Sequence, residues 1–158
     1  MNKVDESAAS EEFLTFRLGA EEYGIDILKV REIRTQDKVT SIAGTPNFLK
    51  GVINLRGNIV PIVDLRIKLG LSDCTVDDQT VVIILNVAPQ VVGIVVDSVS
   101  EVVALALGEI KAAPLLGGQV ESRYVRGIGT VEDRMLILVD IEELVSGGDS
   151  VLMEAALA

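Results

Sequence analysis

The sequence predicts a mostly β protein built as two like halves on one shared hydrophobic core. Three observations carry this. A pattern recurs 76 residues apart. Phe48-Leu49-Lys50-Gly51-Val52, followed by Ile59-Val60-Pro61-Ile62-Val63-Asp64-Leu65, is matched by Tyr124-Val125-Arg126-Gly127-Ile128 and Met135-Leu136-Ile137-Leu138-Val139-Asp140-Ile141. Upstream, Tyr23-Gly24-Ile25, Val30 and Glu32-Ile33 have counterparts in Val92-Gly93-Ile94, Val99 and Glu101-Val102, at a slightly shorter spacing. The period exceeds the roughly 20–50 residues of a solenoid. Valine and isoleucine total 38 against two tyrosines, three phenylalanines and no tryptophan, so the core is aliphatic. Such β-branched side chains favour strands. Finally, a chain of about 150 residues buries roughly 70% of its unfolded surface, whereas either half alone would be marginal.

The elements follow in order. Residues 1–11 are polar, acidic and aperiodic, as in a flexible arm. Phe13, Phe16 and Leu18 mark a first strand, closed by the turn Gly19-Ala20-Glu21-Glu22. Tyr23, Ile25 and Ile27 alternate with Gly24, Asp26 and Leu28, which reads as a second strand. Residues 28–34 fit a helical turn passing back into strand. Thr45-Pro46 is a helix-start signal, so a short helix is expected through Phe48 and Leu49, ending near Gly51. Gly51 and Gly127 are then helix-end glycines. Arg56-Gly57-Asn58 separates two apolar runs, and Gly-Asn predicts a hairpin. Pro61 lacks an N–H, which places its strand at an edge or a bulge. Asp64 and Asp140 each close an apolar strand and open a short helical pattern that stops at Gly70 and Gly147. N-capping accounts for that spacing better than catalysis. Residues 72–80, including Cys74, form the join between units. The runs 81–85 and 91–96 are continuously apolar, as in strands buried on both faces. Residues 117–120 read as a loop, and 121–125 as the start of a second short helix. Residues 148–158 form a tail or short helix.

The chemistry that is missing is equally informative. There is no histidine, the commonest general base and metal ligand. One cysteine excludes a cysteine-based zinc site and an internal disulfide, and fits a reducing cytoplasm. No phosphate loop, dinucleotide fingerprint or nucleophile elbow occurs. A net charge of −10 argues against nucleic acid and against an anionic membrane surface. No apolar run is long enough to span a bilayer. No cofactor and no metal is implied. A binding module is the expected class; an enzyme working through carboxylates such as Asp64 or Asp140 is the remote alternative.

At Glu22-Tyr23-Gly24-Ile25-Asp26-Ile27, Asn54-Leu55-Arg56-Gly57, Val60-Pro61-Ile62-Val63-Asp64-Leu65 and Val92-Gly93-Ile94-Val95-Val96-Asp97, the chain resembles the CheW-like domain family of bacterial chemotaxis coupling proteins. The resemblance runs from about Phe13 to Val145. It implies two five-stranded β-barrels of Src-homology-3-like form on a shared core, within a domain at 12–147. The first barrel would span about 19–75 and the second about 76–147, with strand 12–18 able to join the second. It implies a non-enzymatic adaptor that couples the cytoplasmic tips of transmembrane chemoreceptors to the histidine kinase CheA, whose regulatory domain carries the same module. The protein would then be cytoplasmic, recruited to membrane-associated receptor arrays, and able to associate in rings. A related array controlling twitching or biofilm formation is the alternative. Matched positions imply receptor binding at Val30, Glu32, Arg56, Val99 and Val102, and kinase coupling at Gly57. Arg56 is expected to pair with Glu32 and hold the receptor-facing edge of the first barrel.

Overall fold

The computed structural model describes residues 10–35, 38–68, 79–87, 90–112 and 124–146. Their strands form two sheets. The first half contributes β1 (Ser10–Leu18), β2 (Glu21–Asp26), β3 (Val30–Arg34), β4 (Leu49–Leu55) and β5 (Asn58–Asp64), then helix α1 (Leu65–Lys68). The second contributes β6 (Val81–Val87), β7 (Gln90–Val96), β8 (Ser98–Ala106), β9 (Ile110–Lys111), β10 (Val125–Val131) and β11 (Arg134–Val139), then helix α2 (Ile141–Ser146). The six-stranded sheet runs β8-β1-β2-β11-β10-β9, and the five-stranded sheet β3-β6-β7-β5-β4.

The repeat is therefore real, but the halves exchange strands. The hairpin β1–β2 pairs with β8 and β11 of the second half, and the hairpin β6–β7 pairs with β3 and β5 of the first. The parallel contacts are repeat-equivalent: Ile62 lies opposite Gly93, and Leu138 opposite Gly24. The division near residue 75 consequently coincides with no boundary between sheets. The chain changes sheet instead after β2 and after β7. After β2, Asp26 Oδ1 accepts from Leu28 N at 3.0 Å and starts a single 3-10 turn over Ile27–Lys29. That turn and the strand after it match the mixed reading of 28–34.

Three apolar clusters result. The largest joins both sheets through Leu14, Phe16, Tyr23 and Ile25 on one side and Val63, Ile83, Leu85 and Ile94 on the other. Ile53, Val60, Ile62, Val82 and Ile84 fill a second cluster wholly within the five-stranded sheet. Phe13, Val103, Leu105, Leu136 and Leu138 fill the third, within the six-stranded sheet. A sheet that buries one face against its own strands must curl, which is the barrel expected, although one sheet has six strands where five were expected because the two-residue β9 adds to its edge. Ion pairs across the curl agree: Arg56 of the β4–β5 turn reaches Glu32 on edge strand β3, and Arg134 of β11 reaches Glu101 on edge strand β8. Strands β6 and β7 are buried on both faces, as their unbroken apolar runs imply.

Several local expectations are corrected. No helix forms at Thr45-Pro46. Leu49 N donates to Pro46 O at 3.1 Å, one turn closes, and β4 begins at Leu49. Gly51 serves a close approach rather than a helix end: its φ is +146°, and a Cβ there would lie 2.1 Å from Thr40 O. Gly127 is also tight, though less so, with an ideal Cβ 2.9 Å from Lys111 O. Both glycines sit at register shifts, in β4 against β5 and in β10 against β11. Pro61 is in an interior strand, but β7 pairs with β5 only over Ile62–Asp64, so Pro61 has no β7 partner to satisfy. Val125 opens strand β10 rather than continuing a helix. Of the arm expected over 1–11, Ser10 and Glu11 belong to β1, and residues 1–9 lie outside the described residues. The expected stops at Gly70 and Gly147, residues 72–78 of the join, the loop at 117–120 and the tail at 148–158 lie outside the described residues.

Candidate functional site

Edge strands β3 and β8 carry repeat-equivalent bulges at the residues singled out from sequence. Opposite β1, Val99 pairs with Phe16 and Val102 with Leu14, so two residues of β8 stand against Thr15 alone. Opposite β6, Val30 pairs with Leu85, Glu32 with Ile84 and Ile33 with Ile83, with one extra residue between Val30 and Glu32. Residues three apart in a regular strand point to opposite faces. One inserted residue restores them to the same face. Because directly opposed residues share a face, Val99 and Val102 join Leu14 and Phe16 on the side of the shared core. Val30 and Ile33 join Leu85 and Ile83 there. Val30 and Val99 are half-buried against that core, while Ile33 (45% exposed) and Val102 (50%) remain open. Each edge strand thus presents an apolar pair, inner member packed and outer member free. Ile33 was absent from the expected set, although the repeat already made it the counterpart of Val102.

Glu32 lies on the other face of β3, with Ile84 of the barrel interior. Arg56 Nη2 donates to both Glu32 carboxylate oxygens at 3.3 Å, and Arg34 Nη1 donates to Glu32 Oε2 at 3.3 Å. The expected Arg56–Glu32 pair is therefore formed. Arg56 is 59% exposed, so the pair contributes no more than about 1 kcal/mol. The set expected from sequence divides accordingly: the valines share the seam face, and Glu32 with Arg56 sits beside Gly57.

The β4–β5 turn is centred one residue earlier than the Gly-Asn signal suggests. Leu55 pairs with Asn58, leaving Arg56 (φ 51°) and Gly57 (φ 90°) as the two-residue loop. Both positive φ values mark a type I′ hairpin. Asn54 Oδ1 accepts from Gly57 N at 2.7 Å. The repeat turn places Glu132 (φ 48°) and Asp133 (φ 69°) in the same roles. Gly57 has nothing within 4 Å of a Cβ position, so a side chain there would extend into solvent. Just beyond each turn, Ile59 (60% exposed) and Met135 (67%) are repeat partners and are both free.

The strongest polar cluster was not legible from the sequence. Arg66, 1% exposed, donates to both oxygens of fully buried Asp64 through Nε and Nη2, each at 3.0 Å. Its Nη1 donates to Asp97 Oδ1 at 2.9 Å, while Asp97 Oδ2 accepts from Gly19 N at 2.7 Å. The cluster ties β5 and α1 to the crossing before β8 and to the β1–β2 turn. Hydrogen bonds to Asp64 hold the Arg66 proton more firmly than usual, and burial opposes this. With the folded-state pKa raised, the arginine side of this stabilisation is present below the unfolded value and is lost only above it. At Glu142 of α2, the repeat partner of Arg66, the charge is reversed, and the partner is Lys29, the counterpart of Ser98 rather than of Asp97, in a solvent-exposed pair.

Asp64 and Asp140 do cap: Arg66 N donates to Asp64 Oδ1 at 3.0 Å, and Glu143 N to Asp140 Oδ1 at 3.1 Å. Asp64 is sealed and fully engaged, which leaves it nothing to offer a substrate. Among the described residues no group of histidine, cysteine or carboxylate side chains could hold a metal ion.

Comparison with known proteins agrees with this geometry. The family model for the CheW-like domain matches residues 12–148. The chemotaxis protein CheW of Klebsiella aerogenes is 51% identical over 154 residues, covering 98% of this chain and 93% of that one. A probable chemotaxis protein CheW of Rhizobium etli is 35% identical over 139 residues, covering 88% and 90%. The crystal structure of the scaffolding protein TtCheW from Thermoanaerobacter tengcongensis superposes with a TM-score of 0.80 at 32% identity, covering 86% of this chain and 88% of that one.

Proposed function

The chain belongs to the CheW-like domain family, as a non-enzymatic scaffold of chemotaxis signalling, and we propose that it bridges the cytoplasmic tips of chemoreceptors to the regulatory domain of the kinase CheA. One observation carries this reading: the molecule offers two apolar surfaces on separate elements. Val30, Ile33, Val99 and Val102 line the seam edges, and the receptor tip docks there. Ile59 and Met135 stand at the strand starts beside the hairpin turns, and the like module of the kinase docks there, next to Gly57. Arg56 and Glu32 hold edge strand β3 against the β4–β5 turn and so border both surfaces. Since each half presents an equivalent position, a head-to-tail contact between like modules can close a ring. Recruitment to the membrane-associated array runs through the docked receptor tip; among the described residues no helix is long and apolar enough to cross a membrane.

Two substitutions test the separation. Val99→Met should weaken binding of a receptor-tip fragment at least about tenfold, near 1.4 kcal/mol, while the unfolding midpoint moves by no more than about 4 °C. Gly57→Asp should leave that binding unchanged and abolish binding of the isolated kinase domain, both read by calorimetry. An aspartate is tolerable in that backbone because Asp133 already occupies the equivalent turn position. Loss of both affinities in either variant would contradict two independent surfaces.

A further inference from the structure

Thr15 is a polar side chain in an otherwise apolar stretch of β1, fully buried and far from either proposed surface in sequence. It stands where β8 carries its extra residue. Glu101 N donates to Thr15 Oγ1 at 3.1 Å, and the same hydroxyl donates to Glu101 O at 3.0 Å. One hydroxyl therefore satisfies both backbone groups of the residue that the bulge displaces. In the other half the equivalent position is Ile84, which has no hydroxyl, and β3 is tied instead through Arg56 of the β4–β5 turn to Glu32. Both bulges are thus held from the surface by an arginine, Arg56 on Glu32 and Arg134 on Glu101, and the β8 bulge is held from inside as well.

We propose that Thr15 is a positioning residue for receptor docking: its hydroxyl pins the β8 bulge and thereby keeps Val99 and Val102 on one face. This rests on the reading of those valines as a receptor surface. Without the hydroxyl, Glu101 N–H and C=O lose the partner that Thr15 supplies, and an unmet group that is only part-exposed to water is costly. The strand relieves that cost by expelling the extra residue. A slip of one residue flips side chains to the other face, so either Val99 or Val102 leaves the seam.

Thr15→Val, nearly equal in shape, tests the hydroxyl, and Thr15→Ser restores it. The expected result is at least a tenfold loss of receptor-tip affinity in the valine variant, with kinase-domain affinity within twofold of wild type. The serine variant should bind the tip as wild type does. Amide hydrogen exchange supplies a readout that needs no partner. In the wild-type protein the Glu101 amide, although on an edge strand, should exchange as slowly as amides of the sheet interior, and Thr15→Val should speed it selectively. A fast-exchanging wild-type Glu101 overturns the pinning. Undiminished tip affinity in Thr15→Val, or equal loss of both affinities, overturns the positioning role. A wild-type protein that ignores the tip overturns the receptor reading instead, and Glu101 exchange distinguishes that outcome from failure of the pin.

Discussion

Replacing Arg66 with methionine lowers the unfolding free energy by about 3–5 kcal/mol, because it strands the fully buried Asp64 carboxylate without its partner. For a chain of this size that moves the thermal midpoint down by roughly 6–20 °C, a large part of the ~5–15 kcal/mol that holds a typical domain together. Exchanging both members, Asp64→Leu with Arg66→Met, recovers most of the loss, since a buried ion pair is worth little more than well-packed apolar groups of similar volume. Equilibrium denaturation of the single and double variants checks both statements. A double variant no more stable than Arg66→Met would mean that the cap on α1 and the tie to Asp97, rather than the buried charge, dominate. Arg66 has no competing role in the proposed docking surfaces, so the loss should appear first in stability.

The second large effect is at Gly51. Gly51→Ala should cost about 3 kcal/mol or more. A residue with a Cβ held at that φ carries on the order of 1–3 kcal/mol of backbone strain. The methyl group would also sit 2.1 Å from Thr40 O, a backbone atom held in place by Thr40 N donating to Val52 O at 2.9 Å and by Val52 N donating back to Thr40 O at 2.9 Å. Relief requires breaking that bridge and unseating the segment that covers β4. Gly57→Ala is the comparison, with open space around it and a cost confined to its positive φ. Denaturant midpoints should rank Gly51→Ala well below Gly57→Ala. Equal midpoints would show that the Thr40 segment yields freely.

How far the sequence reaches is clearest at particular residues. The repeat is legible because side-chain pattern survives in each half: Phe48 and Tyr124 both accept, through their carbonyl oxygens, from Asp64 N and Asp140 N. The exchange of hairpins between sheets is not legible. Alternation tells which residues of a strand are buried, but not which sheet the strand joins. Tyr23-Gly24 pairs with Ile137-Leu138 more than a hundred residues away, through a contact that no local signal records. Thr45-Pro46 misleads because a helix start and a single turn use the same residues, and the glycine and β-branched residues that follow settle it as strand. Arg66 is hidden because a cation two residues after an aspartate reads as a solvated side chain. Its second carboxylate partner, Asp97, lies 31 residues on. The valines at 99 and 102 show the same limit at the candidate site. Strict alternation sets them on opposite faces, and only the bulge against Thr15 brings them together. The seam surface therefore depends on a feature that the apolar pattern cannot carry.

Bridging requires that both surfaces be occupied at once. The most direct test titrates a receptor-tip fragment into the protein alone and into the protein saturated with the isolated kinase regulatory domain, by calorimetry. Two separate surfaces predict a ternary complex, with receptor-tip affinity in the presence of the kinase domain equal to or higher than in its absence. Displacement of the kinase domain by the tip would contradict bridging, because the two partners would then compete for one surface and the molecule could not couple them.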